Sequence, residues 1–269
     1  MQTGISTASL FMRKQTEEAL PLIEALGVYN AEVFLTTFFE YREEFARQVA
    51  KTKGKVCVNS IHTLNTNFEP QLFHLSPRVR ADAQYWLEEV CKSAQALGAK
   101  YYTFHGTARF KRSAKSGKTD NFANFIQCFE DICARCAKYG VTLCLENVEW
   151  ATYNRVGVFS AIADEVPALR GVLDIKQARI SGTPYEQYLE EMGEKITHVH
   201  ISDIDEQGKM CLPGYGTFDF DTLVKRLKDV GFVGKLFLEV YRNDFDTVDQ
   251  LKTSCQYVDE ILYKNNCYF

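Results

Sequence analysis

The chain has 269 residues, of which 46% are hydrophobic and 25% charged, and its formal net charge is −4. This is a globular composition with enough chain to bury a large core. The acidic balance argues against a general grip on nucleic acid, and no apolar run approaches the ~18 residues of a membrane span.

The opening Met1-Gln-Thr-Gly-Ile-Ser6 lacks the basic and apolar regions of a signal peptide. The nine cysteines are odd in number and lie scattered through apolar segments. Buried thiols in a reducing cytoplasm suit that pattern better than a disulfide framework.

Taken in order, Thr3 to Ser6 is a short strand. Gln15 to Leu26 has helical spacing and Gly27 stops it. Ala31 to Leu35 reads as a second strand and Glu40 to Thr52 as a polar helix. Lys55 to His62 is a third strand ending in histidine. Leu64 to Leu75 is a long loop, of the kind that is often functional. Ser76 and Pro77 open a long helix with a cap residue and a first-turn proline, and Gly98 closes it. Lys100 to His105 is the fourth strand.

Arg109 to Lys118 carries five cations and no acid. A solvated surface loop is the preferred reading, and an arm over an anionic substrate is the other. Thr119 to Tyr139 is the clearest helix, with Phe122, Phe125, Ile126, Phe129, Ile132, Cys133 and Cys136 on one stripe. The Cys133-x-x-Cys136 pair therefore reads as core packing. Val141 to Glu146 is the fifth strand, Val156 to Leu169 a helix, and Gly171 to Asp174 the sixth strand. Tyr185 to Met192 is a short helix. The seventh strand starts at Ile196 and runs through His198 and His200. Phe220 to Val230 is a helix, Lys235 to Glu239 the eighth strand, and Asp244 to Lys264 the final helix.

Eight strands alternating with helices, without a linker, predict a single α/β domain over residues 1–269, closed as a (β/α)8 barrel. An open doubly wound sheet would gather ligands at one crevice. Here polar ends recur on strands three to eight, which a ring explains better. Strand parity separates two faces. Ser60 and His62, Thr103 and His105, Cys144 and Glu146, Val172 and Asp174, His198 and His200, and Phe237 and Glu239 point one way. Leu143, Leu145, Val199, Ile201, Leu236 and Leu238 point the other, under helices.

The polar set converges at the C-terminal mouth, where barrel sites lie. Glu146, Asp174, His200 and Glu239 would there repel and desolvate one another unless a cation stood between them. Three carboxylates and one imidazole suit a single Mn²⁺, Mg²⁺, Zn²⁺ or Co²⁺.

The segments Leu145-Glu-Asn147, Leu173-Asp174, His198-Val-His-Ile-Ser-Asp203, Pro213-Gly-Tyr-Gly216 and Phe237-Leu-Glu239 resemble the xylose isomerase-like TIM-barrel superfamily. That group holds sugar isomerases and epimerases, inosose dehydratases and repair enzymes of the endonuclease IV type. The resemblance covers the whole chain and implies the same four metal ligands. It places His62 and His105 at positions that bind substrate in the epimerases, or a further zinc in the repair enzymes. Two departures stand out. Gln177 occupies a position where the family often has histidine. The segment Gly208 to Gly214 lacks the Asp-x-His pair of the repair enzymes. A trinuclear phosphodiesterase is therefore not expected.

The expected activity is metal-dependent isomerisation or epimerisation of a sugar by proton abstraction beside a carbonyl, through an enediolate. Glu146 and Glu239 act as the acid–base pair. His62, His105, Gln177, Trp150 and Arg242 contact substrate, with Phe38 and Phe39 as further apolar wall. Arg242 reads equally as a surface residue paired with Asp244 or Asp246. The alternatives are a metal-dependent lyase or dehydratase acting on an inosose-like polyol or sugar conjugate, and a non-catalytic sugar-binding barrel. The expected partner is a small sugar or polyol, with neither nucleic acid nor membrane, and a homo-oligomer stays open.

Overall fold

The computed structural model describes residues 1–108 and 119–268. The cationic loop at 109–118 lies outside them.

Eight parallel strands close into one ring. They are β1 (Gln2–Ser6), β2 (Asn30–Leu35), β3 (Cys57–Thr63), β4 (Tyr101–Phe104), β5 (Thr142–Glu146), β6 (Arg170–Asp174), β7 (Ile196–Ile201) and β10 (Lys235–Leu238). Strands β8 (Asp203–Ile204) and β9 (Met210–Cys211) form a small antiparallel hairpin after β7. Consecutive barrel strands are neighbours, and β10 closes the ring on β1 with Gln2 opposite Lys235 and Ile5 opposite Leu238. The (β/α)8 expectation holds.

The parity also holds. Leu143, Leu145, Val199, Ile201, Leu236 and Leu238 are buried in the layer between strands and helices. Glu32, Ser60, His62, Thr103, Glu146, Asp174, His198 and His200 are buried as well. These polar groups fill the interior, where Glu32 accepts from Ser60 and Thr103 and Glu146 pairs with His105 and His200, while His62 Nδ1 and His200 Nε2 have no hydrogen-bond partner among the described residues. Phe237 joins them from β10, with its ring centroid 5.7 Å from that of His198. Gly4 of β1 has to be glycine for that ring, since a Cβ there would sit 2.6 Å from Phe237 Cε1 and 2.6 Å from the Asn30 carbonyl.

Most helices fall where the apolar spacing puts them: α1 (Thr16–Ala25), α2 (Glu43–Thr52), α3 (Pro77–Leu97), α4 (Thr119–Ala137), α7 (Tyr185–Met192) and α8 (Phe220–Asp229). Two boundaries differ, and one helix is additional. The helix expected over 156–169 shrinks to α5 (Val158–Ala163), because Pro167 biases the residue before it away from helical geometry. The last helix, α9 (Asp249–Lys264), begins at Asp249 rather than Asp244. Asp244 instead accepts the backbone N–H of Tyr241 in a turn. A helix unforeseen in the sequence, α6 (Ile175–Ile180), follows β6 at once. Its N-cap is Asp174, whose Oδ1 accepts the N–H of Gln177 at 2.8 Å.

The long loop at 64–75 forms two short 3₁₀ turns. Their purpose is visible in Glu69, which is fully buried. One carboxylate oxygen accepts the hydroxyls of Thr63 (2.7 Å) and Tyr102 (2.8 Å). The other accepts the backbone N–H groups of His105 and Gly106, both at 2.9 Å. The loop thus pins the ends of β3 and β4. Among the described residues, no helix is long and apolar enough to cross a membrane.

Candidate metal centre

Four of the five histidines in the chain meet inside the mouth of the barrel. His200 stands at the middle. Its Nδ1 lies 2.9 Å from Glu146 Oε1, 3.3 Å from Glu239 Oε2 and 4.0 Å from Asp174 Oδ2. One donor atom from each of Glu146, Asp174, His200 and Glu239 can be chosen so that all lie within 4.8 Å of one another. Two ligands on opposite sides of one ion stand about 4–4.5 Å apart, so the set is compact enough for a single cation. The structure brings together all four side chains read from strand parity.

Local structure explains the aim of each. Asp174 ends β6 and spends Oδ1 on capping α6, which leaves Oδ2 for the cluster. Asn147, at the end of β5, grips the Asp174 backbone from both sides. Its amide donates to the carbonyl at 2.8 Å and its oxygen accepts the N–H at 2.7 Å. Glu146 therefore arrives beside Asp174 as a braced pair.

The electrostatics call for positive charge. Burial raises the Asp174 carboxyl to about 7; Lys176 and His200 oppose the rise, and Glu146 and Glu239 reinforce it. Burial would lower His62, yet the carboxylates of Glu239 and Glu32 beside its Nδ1 push it up to about 10. Burial likewise opposes protonation of His200, but the charges of Glu239, Glu32 and Glu146 hold it well above its ordinary range. Imidazoles thus take up protons to offset the acids. A divalent cation offers the same compensation and displaces those protons on binding. Glu239 Oε2 is buried without a hydrogen-bond partner among the described residues, as expected of an oxygen reserved for a ligand. The donor set fits a divalent ion.

His62 and His105 lie beside this set. Their Nε2 atoms are 3.1 Å apart, and His105 Nε2 is 2.6 Å from Glu146 Oε2. Trp150 stands edge-on to His105 with centroids 5.4 Å apart, so three of the expected substrate contacts are brought together. Gln177 is buried, with Oε1 at 3.5 Å from the Glu149 N–H.

Others fall elsewhere. Phe38 packs on Trp86 and Tyr41, and Phe39 on Phe45. The aromatic ring on the far side of His62 is Phe34 instead, at 5.0 Å. Arg242 is exposed and forms no ion pair among the described residues, so neither Asp244 nor Asp246 holds it. Its carbonyl accepts from the Arg13 guanidinium at 2.8 Å.

Two charged residues at the site escaped the sequence reading. Glu32 is wholly buried in β2 beneath His200. Its signal was an acid flanked by Ala31 and Val33, on the inward parity with Phe34. Lys176 is buried with its ammonium 4.0 Å from Asp174 Oδ2 and 4.5 Å from the Tyr241 ring centroid. A lysine two residues after a strand-end aspartate carries no sequence signal of burial.

Residues 20–261 match the family model described as xylose isomerase-like TIM barrel. The chain belongs to that family. No curated protein matches the sequence. Solved structures of the same fold include D-psicose 3-epimerase with D-tagatose from Clostridium cellulolyticum H10, at 14% identity with 100% of each chain covered and a TM-score of 0.75. The IolI protein with a zinc atom is similar at 18% identity over 100% of this chain and 99% of that one, with a TM-score of 0.77. The apo form of 3-keto-D-glucoside 4-epimerase YcjR from E. coli is similar at 15% identity over 97% and 99%, with a TM-score of 0.71. At these identities the likeness establishes the family's barrel, and the chemistry has to be argued from the site.

Proposed function

We propose that this family member is a divalent-metal-dependent sugar epimerase or isomerase that moves a proton at the carbon beside a ketose carbonyl. The observation that carries this is the donor set, in which Glu146, at the end of β5, and Glu239, directly after β10, both lie within 4.8 Å of Asp174 and His200. Glu146, Asp174, His200 and Glu239 would hold the ion. When bound, a divalent cation polarises a carbonyl and offsets the charge of the enediolate.

The remaining work falls to the side chains. Glu146 and Glu239 come from strands that are not neighbours in the ring, so they flank a bound sugar on two sides. One carboxylate takes the proton from the carbon next to the carbonyl, and the other returns a proton to that carbon. His62, His105 and Gln177 hold hydroxyls. Trp150 and Phe34 give the sugar ring or chain an apolar wall and keep water from the carbanion. The names of the structural neighbours, two of them 3- or 4-epimerases of sugars, support a ketose or keto-sugar as the substrate class. The nine thiols include no disulfide, which supports a reducing compartment such as the cytoplasm.

The test is incubation of the Mn²⁺-loaded protein with D-fructose, D-tagatose, D-psicose and keto-glucosides in heavy water. Exchange of the α-hydrogen for deuterium, at or above the rate of product formation, is expected. Turnover with the hydrogen retained would indicate a hydride shift and leave both glutamates as ligands only. Absence of any bound divalent ion would remove the reading altogether.

A further inference from the structure

Directly beneath the proposed ligand set lies a carboxylate with no part in the chemistry above. Glu32 of β2 is 0% exposed. Hydroxyls from three strands clamp it. Ser60 Oγ and Thr103 Oγ1 donate to Oε2 at 2.8 and 2.6 Å, and Ser6 Oγ donates to Oε1 at 3.3 Å. His198 Nε2 adds a contact to Oε2 at 3.2 Å. A carboxylate held this way cannot turn to follow a mobile ring, so rings in contact with it must follow the carboxylate.

Two rings are in contact through the other oxygen. Oε1 lies 2.9 Å from Nε2 of His200 and 3.4 Å from Nδ1 of His62. The two imidazoles stack above it, with centroids 5.9 Å apart and planes within 22°. In His200 the nitrogens face opposite ways, Nε2 toward Glu32 and Nδ1 toward Glu146, Asp174 and Glu239. An imidazole offers a lone pair only from a nitrogen that carries no proton, and the group bonded to one nitrogen decides which state the other adopts. We infer that Glu32 is the positioning residue of this centre: it keeps a proton on Nε2 of His200 and so commits Nδ1 to the cation.

His200 Nε2 makes no hydrogen bond among the described residues, so its 2.9 Å approach to Oε1 is a charge contact. His62 is set by the same oxygen, with Nδ1 turned to Glu32 and Nε2 turned to His105. A carboxylate behind a metal-bound histidine generally fixes its orientation and raises its basicity, and its loss costs about 10–100-fold in metal affinity. The consequence for affinity rests on the metal reading above; the placement of the proton does not.

The experiment has two arms. In the first, ¹⁵N-histidine spectra of the wild-type protein, with and without Zn²⁺, are assigned with a His200→Asn variant. A proton on Nε2 of His200 in both samples is expected, and a bare Nε2 in either overturns the inference. In the second, Mn²⁺ and Zn²⁺ dissociation constants are measured calorimetrically for wild type, Glu32→Gln and Ser60→Ala. Glu32→Gln keeps the shape and removes the charge, and it should weaken binding about 10–100-fold, while Ser60→Ala, which leaves the carboxylate in place, should cost less. A folded Glu32→Gln that binds within about twofold of wild type sinks the positioning role. Should Glu32→Gln fail to fold, the wild-type spectrum still decides. Should the wild type bind neither ion, the metal reading falls, and a bare Nε2 in the metal-free spectrum still overturns the placement of the proton.

Discussion

Glu146 is shared between two imidazoles. Its Oε2 lies 2.6 Å from His105 Nε2, while its Oε1 lies 2.9 Å from His200 Nδ1. One carboxylate therefore links the proposed ligand set to the proposed substrate side. Glu146→Gln should lose both, with turnover falling about 10²–10⁴-fold for the acid–base role and further through weaker metal retention. Glu239→Gln should behave alike, and His105→Ala should cost less. Steady-state rates on a ketose, taken with metal content, check this. Near-normal turnover by either glutamine variant would remove that residue from proton transfer.

Lys176 places a positive charge 4.0 Å from Asp174 Oδ2, buried rather than in water. It offsets the carboxylates and competes with the cation for them. Lys176→Met should therefore bind Mn²⁺ more tightly at about pH 8, by roughly tenfold or more, because like charges a few ångströms apart repel strongly in a buried site. A calorimetric titration reads this directly, and weaker binding would contradict it.

The thiols should be inert. Cys133 and Cys136 are buried on α4, and Cys136 Sγ lies 3.6 Å from Cys91 Sγ. Burial pushes Cys133 and Cys255 up to about 12, from an ordinary 9.0. At neutral pH they should label slowly with a thiol reagent, after exposed Cys57. The sign of the alkaline effect follows. The folded state keeps protons that the unfolded state has released, so stability is full below about 9 and is lost as pH rises toward 12. Denaturant midpoints across that window test it, and a midpoint rising with pH would be the wrong sign.

DNA with abasic sites should not be cut. Gln177 stands where a further histidine ligand would be needed. The loop after β7 is organised by Asp203, whose carboxylate accepts the N–H groups of Ile204, Gly214, Gly216 and Phe218 at 2.7 to 3.1 Å. No potential metal-binding group among the described residues draws on that loop. Efficient incision of such a duplex by the purified protein would overturn the assignment of a one-metal site.

Strand parity made much of this legible. A period of two assigns each side chain to the interior or to the helix layer, and an acid at the inward end of a strand cannot remain unpaired there. That argument reaches Glu146, Asp174, His200 and Glu239 without coordinates. It stops where position depends on something other than strand period. Glu69 sits in a loop and acts through backbone N–H groups. Lys176 is buried only because α6 starts directly at Asp174 and Tyr241 covers the ammonium. Arg242 looked available from its nearness to Glu239 in sequence, but nothing in a sequence reports which way a loop turns. Glu32 has the right parity but lies mid-strand, where an argument from strand ends does not reach.

The order of the strands has a consequence for assembly. Glu146, Asp174 and His200 come from β5, β6 and β7, three neighbours between residues 142 and 201. Glu239 arrives with β10, whose other edge is sealed by β1, joining residue 2 to residue 235. Contacts so distant in sequence form late. A partly folded chain would hold three donors and grasp the ion weakly, and only the closed ring completes the set. Bound cation would then act as a clasp on the seam between the chain's beginning and end. Amide exchange in β1 and β10 should slow on metal addition more than exchange in β3 and β4, because the ion stabilises only the forms in which that seam is shut.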